Sequence, residues 1–283
     1  MEENATVAVL GAGQMGSGIG QVFATAGYSV KIYDLAEQIL EKSKNRIHTS
    51  LEKLKSKCLI DEEIVNIENR ISHHTKMEEL HDCSIFMESA FEDFSAKISI
   101  FHELSNILTE SSLVATNTSS YSITSLAGFV PWPEKFIGLH FMNPPPIMEL
   151  LEIIRGSQTS NETFDFFLQL AKKLKKTPIV SKNSPGFVLN RILIPMINEA
   201  IYALQENVSS TEQIDAALTL GANHPIGPLA LADLIGLDTV LAILKTLQKE
   251  LGENKYAPCP LLESYVTRGL LGKKTKSGFY EYQ

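Results

Sequence analysis

Apolar runs and helical patterns alternate through the first two thirds of the chain, and this alternation predicts an α/β architecture. The run at 6–10 is apolar after its first residue and leads directly into glycines, which predicts a buried parallel strand. A helical pattern over 16–26 ends at Gly27, which suits the left-handed position after a helix, and a second strand is predicted over 29–34. Strand, helix and strand within about thirty residues form a βαβ unit, whose crossover should be right-handed.

The segment between residues 35 and 82 shows no strand pattern. A long amphipathic helix is predicted there, because apolar residues repeat on one face while Lys and Glu occupy the others; these residues are Ile39, Ile47, Leu51 and Leu54. A second helix is predicted to begin at Asp61, which can cap its N-terminus. Two helices inserted here would form a protruding hairpin. Its role stays open between a stabilising element and a part that contacts substrate.

Short apolar runs resume after residue 83 and predict five further strands. These strands lie at 84–87, 113–116, 136–140, 148–154 and 177–180. The links between the last three are too short to hold many helices. The sheet is therefore expected to acquire an antiparallel edge.

From residue 184 onward the pattern is helical throughout. Ser184 and Pro185 suit the N-cap and the first position of a helix. The predicted helices span 188–206 with a kink at Pro195, 211–220 and 228–251, and the last two end at Gly221 and Gly252. The chain thus divides into an α/β domain at 1–183 and an all-helical domain at 184–283. Surplus apolar periodicity in the second domain favours a homodimer through its helices.

Composition narrows the functions that such a fold can serve. The chain has 283 residues, of which 44% are hydrophobic, and a formal net charge of −8. Disorder is therefore excluded, and neither nucleic acid nor an anionic membrane is expected as a partner. Three widely spaced cysteines predict neither a disulfide framework nor a metal site, which fits a reduced compartment. The first residues are acidic and polar, so we expect no targeting segment and a cytoplasmic location.

The run from Gly11 to Gly16 matches the dinucleotide-binding fingerprint GxGxxG in its proper context, after a strand and at the start of a helix. Gly11 permits the tight turn, Gly13 leaves room for a pyrophosphate, and Gly16 lets helix and strand pack closely. The N–H groups at the helix start can then meet phosphate charge. The loop is completed by Ala12, Gln14 and Met15.

Asp34 stands at the end of the second predicted strand and indicates which dinucleotide binds. A carboxylate there accepts hydrogen bonds from ribose hydroxyls and repels a 2′-phosphate. The next residues are Leu35, Ala36 and Glu37, none of which could neutralise that phosphate. We therefore expect NAD rather than NADP, while FAD shares the fingerprint but usually needs a longer chain.

Among seven histidines, His140 has the surroundings of a catalytic group. It ends a predicted strand, and ligands of open α/β sheets bind outside the carboxyl ends of strands. Glu152 lies within an otherwise apolar run, where a carboxylate is costly unless it has a partner. Spacing alone leaves three interpretations open: a catalytic His–Glu pair, a structural pair, or a solvated glutamate. No metal site is expected, because adjacent His73 and His74 point to different sides in a strand or a helix.

Several segments together resemble the (S)-3-hydroxyacyl-CoA dehydrogenase family, and the bacterial 3-hydroxybutyryl-CoA members are nearest in length. The segments are Gly11–Gly16, Asn117–Ser120, Gly138–Pro144, Ser184–Arg191 and the tail Gly272–Tyr280. The resemblance covers the whole chain in order. It implies a Rossmann-type NAD-binding domain followed by a helical domain. It also implies reversible oxidation of a (3S)-3-hydroxyacyl-CoA to the 3-oxoacyl-CoA, with a hydride passed to NAD and an acyl-CoA of short chain as substrate.

The resemblance also implies roles for individual residues. His140 matches the family's catalytic base, and Glu152 matches the carboxylate that orients it. Ser119 and Asn190 match residues that hydrogen-bond the oxygen atoms of the substrate. Matches to cofactor contacts are Glu92, Lys97, Ser119, Asn143 and Lys274, and matches to coenzyme A contacts are Ser50 and Lys57.

Two other functions stand as alternatives. The first is a related two-domain β-hydroxyacid dehydrogenase acting on a small free acid or sugar acid. Those enzymes usually rely on a lysine in the catalytic helix, where this chain has Asn190. The second is a crystallin-like protein that binds NAD without catalysis. Such a protein would tolerate loss of His140 and Glu152, and both are present.

Overall fold

An eight-stranded sheet organises the N-terminal part of the protein, whose residues 5–283 are described by a computed structural model. The strands are β1 (Thr6–Leu10), β2 (Ser29–Tyr33), β3 (Ile71–His74), β4 (Ile85–Glu88), β5 (Leu113–Thr116), β6 (Phe136–Phe141), β7 (Leu150–Arg155) and β8 (Thr177–Lys182). Their spatial order is β3-β2-β1-β4-β5-β6-β7-β8. The first six strands are parallel, whereas β7 runs antiparallel to β6 and parallel to β8. The predicted α/β class and the antiparallel pairing near the sheet edge are confirmed.

Six helices connect these strands. They are α1 (Gln14–Thr25), α2 (Glu37–Ser56), α3 (Ile64–Glu68), α4 (Phe94–Leu104), α5 (Ile123–Ala127) and α6 (Asn161–Lys173). The predicted left-handed residue after α1 is confirmed, since Gly27 has φ +92°. The amphipathic pattern of α2 is also confirmed, because Ile47, Leu51 and Leu54 are buried and Ile39 packs partly buried against the core. The sheet and the apolar helix faces form one core, in which the β1 residues Val7 and Val9 are fully buried.

Two predictions for this part of the chain are wrong, and a helix lies where none was predicted. Strand β3 lies in the segment that showed no strand pattern, and it pairs in parallel with β2. Its sequence, Ile71-Ser72-His73-His74, has one apolar residue, since an edge strand needs little burial. The second hairpin helix begins at Ile64, with Glu63 rather than Asp61 at its N-cap position. Helix α6 was not predicted, and Ser160 caps it through Thr163 N–H.

The residues from Pro185 to Gln283 form a second compact unit, which is helical. Its helices are α7 (Leu189–Gln205), α8 (Thr211–Gly221), α9 (Pro228–Ile235), α10 (Leu237–Leu251) and α11 (Pro260–Thr267). Pro195 lies inside α7, and Gly252 ends α10 with φ +67°. Apolar residues of all five helices form the core of this unit. The predicted helical C-terminal part is thus confirmed.

Two details of the helical unit differ from prediction. Helix α7 has Val188 at its N-cap position, so Ser184 does not cap it. The single helix predicted over 228–251 is two helices, because Gly236 between them has φ +101°, a conformation that breaks the helical path. Across residues 5–283, no helix combines the length and apolar character needed to cross a bilayer.

Candidate active site

The glycine loop after β1 has the shape that a pyrophosphate requires. Gly11 has φ +105°, and a Cβ on it would lie 2.7 Å from the carbonyl oxygen of Ser89. A Cβ on Gly16 would lie 1.8 Å from the carbonyl oxygen of Gly11, so this close helix–strand packing needs glycine. A Cβ on Gly13 would meet no atom within 4 Å. The loop is therefore tight where it contacts protein and open where the N-terminus of α1 can receive an anion.

Asp34 lies directly after β2, beside this loop. Its Oδ2 accepts a hydrogen bond of 3.0 Å from Ala12 N–H, and its Oδ1 accepts one of 3.2 Å from Ala36 N–H. These bonds fix the carboxylate at the end of the strand next to β1. A diol such as the ribose of NAD can bind a carboxylate held there, so loop and acid together fit the adenosine half of NAD.

His140 and Glu152 face each other across the antiparallel pair β6 and β7, in direct register. The His140 Nδ1 lies 2.7 Å from Glu152 Oε2. His140 is 6% exposed and Glu152 is fully buried. A carboxylate with no access to water is stable here because the imidazole bonds it, and it in turn holds the ring in one orientation. The pair lies at the carboxyl end of β6, the edge where ligands bind in such sheets.

The loop after β5 is ordered by Glu92. Glu92 Oε1 accepts hydrogen bonds from Thr118 Oγ1 at 2.6 Å, Ser119 N at 2.8 Å and Ser120 N at 3.1 Å. The hydroxyls of both serines also donate to it. Asn117, at the start of the same loop, accepts a hydrogen bond of 2.8 Å from Phe141 N–H, one residue beyond His140. The Ser119 loop and the end of β6 are therefore held together.

An ion cluster of buried Glu88, buried Lys97 and half-buried Glu92 supports this loop. The Lys97 Nζ lies 2.8 and 2.9 Å from the two Glu88 oxygens and 3.2 Å from Glu92 Oε2. Burial opposes the charge of Lys97, but the negative charges of Glu88 and Glu92 outweigh it and raise its pKa. Burial likewise opposes the charge of Glu92, but Lys97 and the Thr118 hydroxyl outweigh it and lower its pKa. Lys97, expected at the cofactor, is 1% exposed and bonded to these two acids.

Glu88 was not singled out from the sequence, although a signal was present. It ends a buried apolar run, Ile85-Phe86-Met87-Glu88, and is itself fully buried. The same argument that marked Glu152, a carboxylate in an apolar run, applies to it.

A groove of about 690 Å³ lies beside the glycine loop. One face of α1, one face of α2 and the turn at 143–147 line it. Ser50 and Lys57, expected to contact coenzyme A, both belong to its α2 wall. Its cationic side chains are Lys42, Arg46, Lys53 and Lys57. A positively lined groove in an acidic protein suits a ligand that carries phosphates.

The turn after β6 forms the other wall and is tightly held. Its Asn143–Pro144 peptide is cis, and Asn143 accepts a hydrogen bond of 3.0 Å from Gln14 Nε2 of the glycine loop. Lys176 donates hydrogen bonds of 2.7 Å to each of the Pro145 and Met148 carbonyl oxygens. Burial lowers the pKa of Lys176, and Glu149 opposes this effect. Asn143, expected at the cofactor, is thus bonded to the residue that follows Gly13.

Asn190 and Lys274 belong to the helical unit. Asn190 lies in the first turn of α7 and is half-buried. Lys274 forms an exposed ion pair with Asp238 at the start of α10. In the sheet unit, the structure gathers the glycine loop, Asp34, Glu92, Ser119, His140 and Glu152 at the carboxyl ends of β1, β2, β4, β5 and β6 and the amino-terminal half of the antiparallel β7.

Comparisons with known proteins agree with this architecture. Residues 6–184 match the family model of the 3-hydroxyacyl-CoA dehydrogenase NAD binding domain, and residues 186–282 match that of the 3-hydroxyacyl-CoA dehydrogenase C-terminal domain. The chain is 49% identical over 278 residues to a 3-hydroxybutyryl-CoA dehydrogenase of Bradyrhizobium diazoefficiens, covering 98% of this chain and 95% of the relative. It is 38% identical to the mitochondrial hydroxyacyl-coenzyme A dehydrogenase of Homo sapiens, with coverages of 98% and 91%. The crystal structure of (S)-3-hydroxybutyryl-CoA dehydrogenase from Ralstonia eutropha superimposes with a TM-score of 0.95 at 44% identity, covering 99% of this chain and 100% of that one.

Proposed function

The chain belongs to the 3-hydroxyacyl-CoA dehydrogenase family, whose members are NAD-dependent oxidoreductases, and we propose that it interconverts short-chain (3S)-3-hydroxyacyl-CoA and 3-oxoacyl-CoA. The observation that carries this proposal is the buried pair of His140 and Glu152 at the carboxyl end of β6. A dehydrogenase that removes a hydride from a secondary alcohol also needs a base for the hydroxyl proton. A histidine steadied by a carboxylate is such a base.

NAD is held in this proposal by the glycine loop and Asp34. The open space at Gly13 receives the pyrophosphate, and Asp34 accepts hydrogen bonds from the ribose hydroxyls. When bound, NAD supplies the acceptor for the hydride that leaves C3 of the substrate. Asn143 and Lys274 complete the cofactor contacts, while Glu92 and Lys97 act by shaping the loop that carries Ser119.

His140 takes the proton of the 3-hydroxyl group during oxidation and returns it during reduction. Its Nδ1 is bonded to Glu152, so the proton moves at Nε2. Glu152 selects the tautomer that leaves Nε2 basic and stabilises the imidazolium that forms. Its burial makes this interaction stronger than it would be in water.

Ser119 and Asn190 bind the substrate's oxygen atoms in this proposal. The Ser119 loop is held by five hydrogen bonds from Thr118, Ser119 and Ser120 to one oxygen of Glu92. A hydroxyl fixed in this way loses little entropy when it binds the substrate. Asn190 offers both a donor and an acceptor from the first turn of α7.

A coenzyme A thioester is the proposed substrate because the groove beside the glycine loop is large and cationic. Lys57 and Ser50 on its α2 wall are suited to phosphate and hydroxyl groups of the coenzyme. A small free hydroxyacid would leave this groove unused. The groove therefore favours the thioester over the alternative of a β-hydroxyacid dehydrogenase.

We further propose a cytoplasmic homodimer that binds no nucleic acid. The helical unit exposes large apolar side chains, including Ile192 at 67% and Leu220 at 87%, which a partner helix could cover. The net charge of −8 disfavours nucleic acid. The three cysteines are free thiols, as a reducing compartment requires. Sedimentation equilibrium tests the assembly, and a monomer mass at micromolar protein would contradict it.

The activity is tested by following NADH absorbance with three substrates in parallel: acetoacetyl-CoA, free acetoacetate and a long-chain 3-oxoacyl-CoA. We expect rapid oxidation of NADH with acetoacetyl-CoA, slower oxidation with the long chain and none with the free acid. Turnover of acetoacetate without turnover of the thioester would assign the protein to the β-hydroxyacid dehydrogenases. Binding of NADH without any turnover would favour the crystallin-like alternative.

A further inference from the structure

The groove beside the glycine loop has a floor and two walls of different chemistry. Its floor is the face of α1 that carries Ser17, Gly18 and Gln21. A Cβ on Gly18 would lie 2.8 Å from Pro145 Cδ, so the floor meets the turn at 143–147 directly. The opposite wall is α2, which contributes Arg46 near the glycine loop and Lys57 at its far end.

Arg46 is anchored to the glycine loop by one edge of its guanidinium. Its Nη1 donates to Ser17 Oγ at 2.8 Å and to the carbonyl oxygens of Ala12 and Gly13 at 3.3 Å each. Ser17 is in turn bonded at 2.9 Å to Ser43, one turn earlier on α2. The side chain is exposed, and Nε and Nη2 donate to no residue of the range 5–283. A guanidinium fixed at Nη1 therefore presents its remaining donors in a set direction.

The side-chain amide of Gln21 is a second donor group at the groove, in addition to Nε and Nη2 of Arg46. Gln21 is 1% exposed, and its buried Nε2 has no hydrogen-bond partner within residues 5–283. Gln21 lies one turn beyond Ser17 on the same face of α1, so both side chains border the groove on the side of α2. A buried amide without an acceptor is uncommon, and one at the wall of a binding groove is explained by a ligand that supplies the acceptor.

We infer that Arg46 and Gln21 donate hydrogen bonds to the pantetheine arm of the substrate, in the part beyond the amide nearest the thioester. This inference rests on the proposed function, because it assumes a coenzyme A thioester in the groove. The arm carries amide carbonyl and hydroxyl oxygens and no charge, which suits a pair of donors within the groove. The lysines farther along α2 remain for the phosphates.

The dimensions of α2 agree with this division. Lys57 follows Arg46 by 11 positions, which at about 1.5 Å per residue is roughly 16 Å along the helix axis. An extended pantetheine arm can bridge that distance. One end of the groove is lined by Gln14 and Asn143, and Asn143 follows His140 by three residues in sequence. The other end holds the cationic Lys53 and Lys57.

Truncated substrates separate this role from a structural one. We would compare kcat/KM for acetoacetyl-CoA, acetoacetyl-pantetheine and the N-acetylcysteamine thioester, which keeps only the first amide. In R46M, we expect a loss of about 10- to 100-fold with the first two substrates and less than threefold with the third. Q21M should show the same pattern with a loss of about three- to tenfold, and it tests the floor independently of Arg46.

Lys44 provides the matched control, because it lies on the same helix, outside the groove, and pairs with Glu41. K44M should behave as the unmodified enzyme with all three substrates. An equal loss in K44M and R46M would overturn the inference, since only general charge would then matter. Equal losses for R46M with all three thioesters would also overturn it, because Arg46 would then act through the glycine loop.

A loss of kcat/KM in R46M that is confined to acetoacetyl-CoA would indicate that Arg46 contacts the phosphates. That result would contradict the assignment of Arg46 to the pantetheine arm. Normal kinetics of R46M and Q21M in an active enzyme would refute this inference alone. Failure of the unmodified enzyme to reduce acetoacetyl-CoA would instead refute the proposed function, together with the inference that depends on it.

Discussion

The sheet unit and the helical unit both bury carboxylates, but they provide them with different partners. In the sheet unit, Glu88 and Glu152 are fully buried, and their side chains bond Lys97 and His140. In the helical unit, Asp215 and Asp233 are buried, and their partners are backbone N–H groups and tyrosine hydroxyls. Each buried acid of the sheet unit bonds a basic side chain, although Glu88 also accepts from Ala90 N–H and the Thr116 hydroxyl. The two acids of the helical unit accept instead from backbone N–H groups and tyrosine hydroxyls.

The helical unit uses its acids to fasten the end of the chain. Asp233 on α9 accepts hydrogen bonds from Phe279 N–H at 3.0 Å, Tyr280 N–H at 2.9 Å and the Tyr282 hydroxyl at 3.0 Å. A Cβ on Gly278 would lie 2.1 Å from Asp233 Oδ1, so the chain passes against the carboxylate. Burial raises the pKa of Asp233, although these donors oppose the rise. Burial, and then the bond to Asp233, raise the pKa of Tyr282 to about 12.

The comparison teaches how a buried charge can be assigned to structure or to chemistry. A carboxylate saturated by backbone donors has no way to pass a proton, so its role is to hold segments together. A carboxylate bonded to an imidazole can stabilise the change of charge that a reaction produces. This difference orders the following expected effects, from the largest to the smallest.

Replacing His140 should produce the largest loss of activity. H140A removes the proposed base while leaving the glycine loop and Asp34 intact, so kcat should fall by about 10²- to 10⁴-fold and NADH affinity should stay unchanged. Steady-state kinetics and NADH fluorescence titration measure the two quantities. The matched control is H48A, because His48 forms a similar contact of 2.8 Å with Glu68 on the surface. A comparable loss of kcat in both variants would contradict the proposed mechanism.

Breaking the buried pair of Lys97 and Glu88 should produce the largest loss of stability. K97M leaves Glu88 buried without its cation, which should cost about 3–5 kcal/mol in the free energy of unfolding. Urea denaturation monitored by circular dichroism measures the change. K31M is the control, since the pair of Lys31 and Asp82 is partly exposed and should contribute about 0–1 kcal/mol. If both variants lost the same stability, the cluster would be no stronger than a surface pair.

Asp34 tests whether a half-buried acid of the sheet unit serves a ligand rather than the fold. D34A removes a charged hydrogen-bond acceptor for the ribose, so NADH affinity should fall by about 10- to 100-fold. NADPH affinity should change far less, because Asp34 repels the 2′-phosphate of NADPH in the unmodified protein. Fluorescence titration with both nucleotides gives the comparison. Equal losses for the two would remove the basis for NAD preference.

Asp233 tests the helical side of the comparison. In D233N, the amide N–H₂ group would lie against the N–H groups of Phe279 and Tyr280, which now donate to the carboxylate. Because two donors cannot bond each other, we expect a loss of about 1–3 kcal/mol in the free energy of unfolding. Thermal and urea unfolding measure it, with E263Q as the control on an exposed ion pair of the same unit. A variant as stable as the control would show that the tail is held by its other contacts.

The sequence predicted those parts of the molecule that depend on local pattern. The strand β1, the turn at Gly11 and the antiparallel pair β6 and β7 could be predicted because each follows from neighbouring residues. The facing positions of His140 and Glu152 follow from that strand pair. Glu88 ends a buried apolar run, so the sequence contains the same signal for it as for Glu152.

Other features depend on how distant elements pack, and no local pattern reveals them. The contact of Arg46 with the glycine loop needs α2 to pass beside α1. Lys97 was expected at the cofactor from the family resemblance, and its bonds to Glu88 depend on how α4 packs against β4. Strand β3 could not be predicted because a short edge strand needs few apolar residues. The surroundings of the histidines on β3 likewise come from elements that are distant in sequence.

His73, on β3, should produce the smallest effect and one that appears only with pH. Burial, and then the charge of Lys44, lower its pKa from 6.5 to about 4, and its Nε2 is buried without a partner within residues 5–283. The folded state thus disfavours the charged imidazole, whereas the unfolded state takes up the proton near pH 6.5. Stability should be full above pH 6.5 and should decline as the pH falls through about 4. H73F should flatten this decline in melting temperature between pH 7 and pH 4, while H81F, at an exposed site, should not. An unchanged pH profile in H73F would show that the acid sensitivity resides in the buried carboxylates instead.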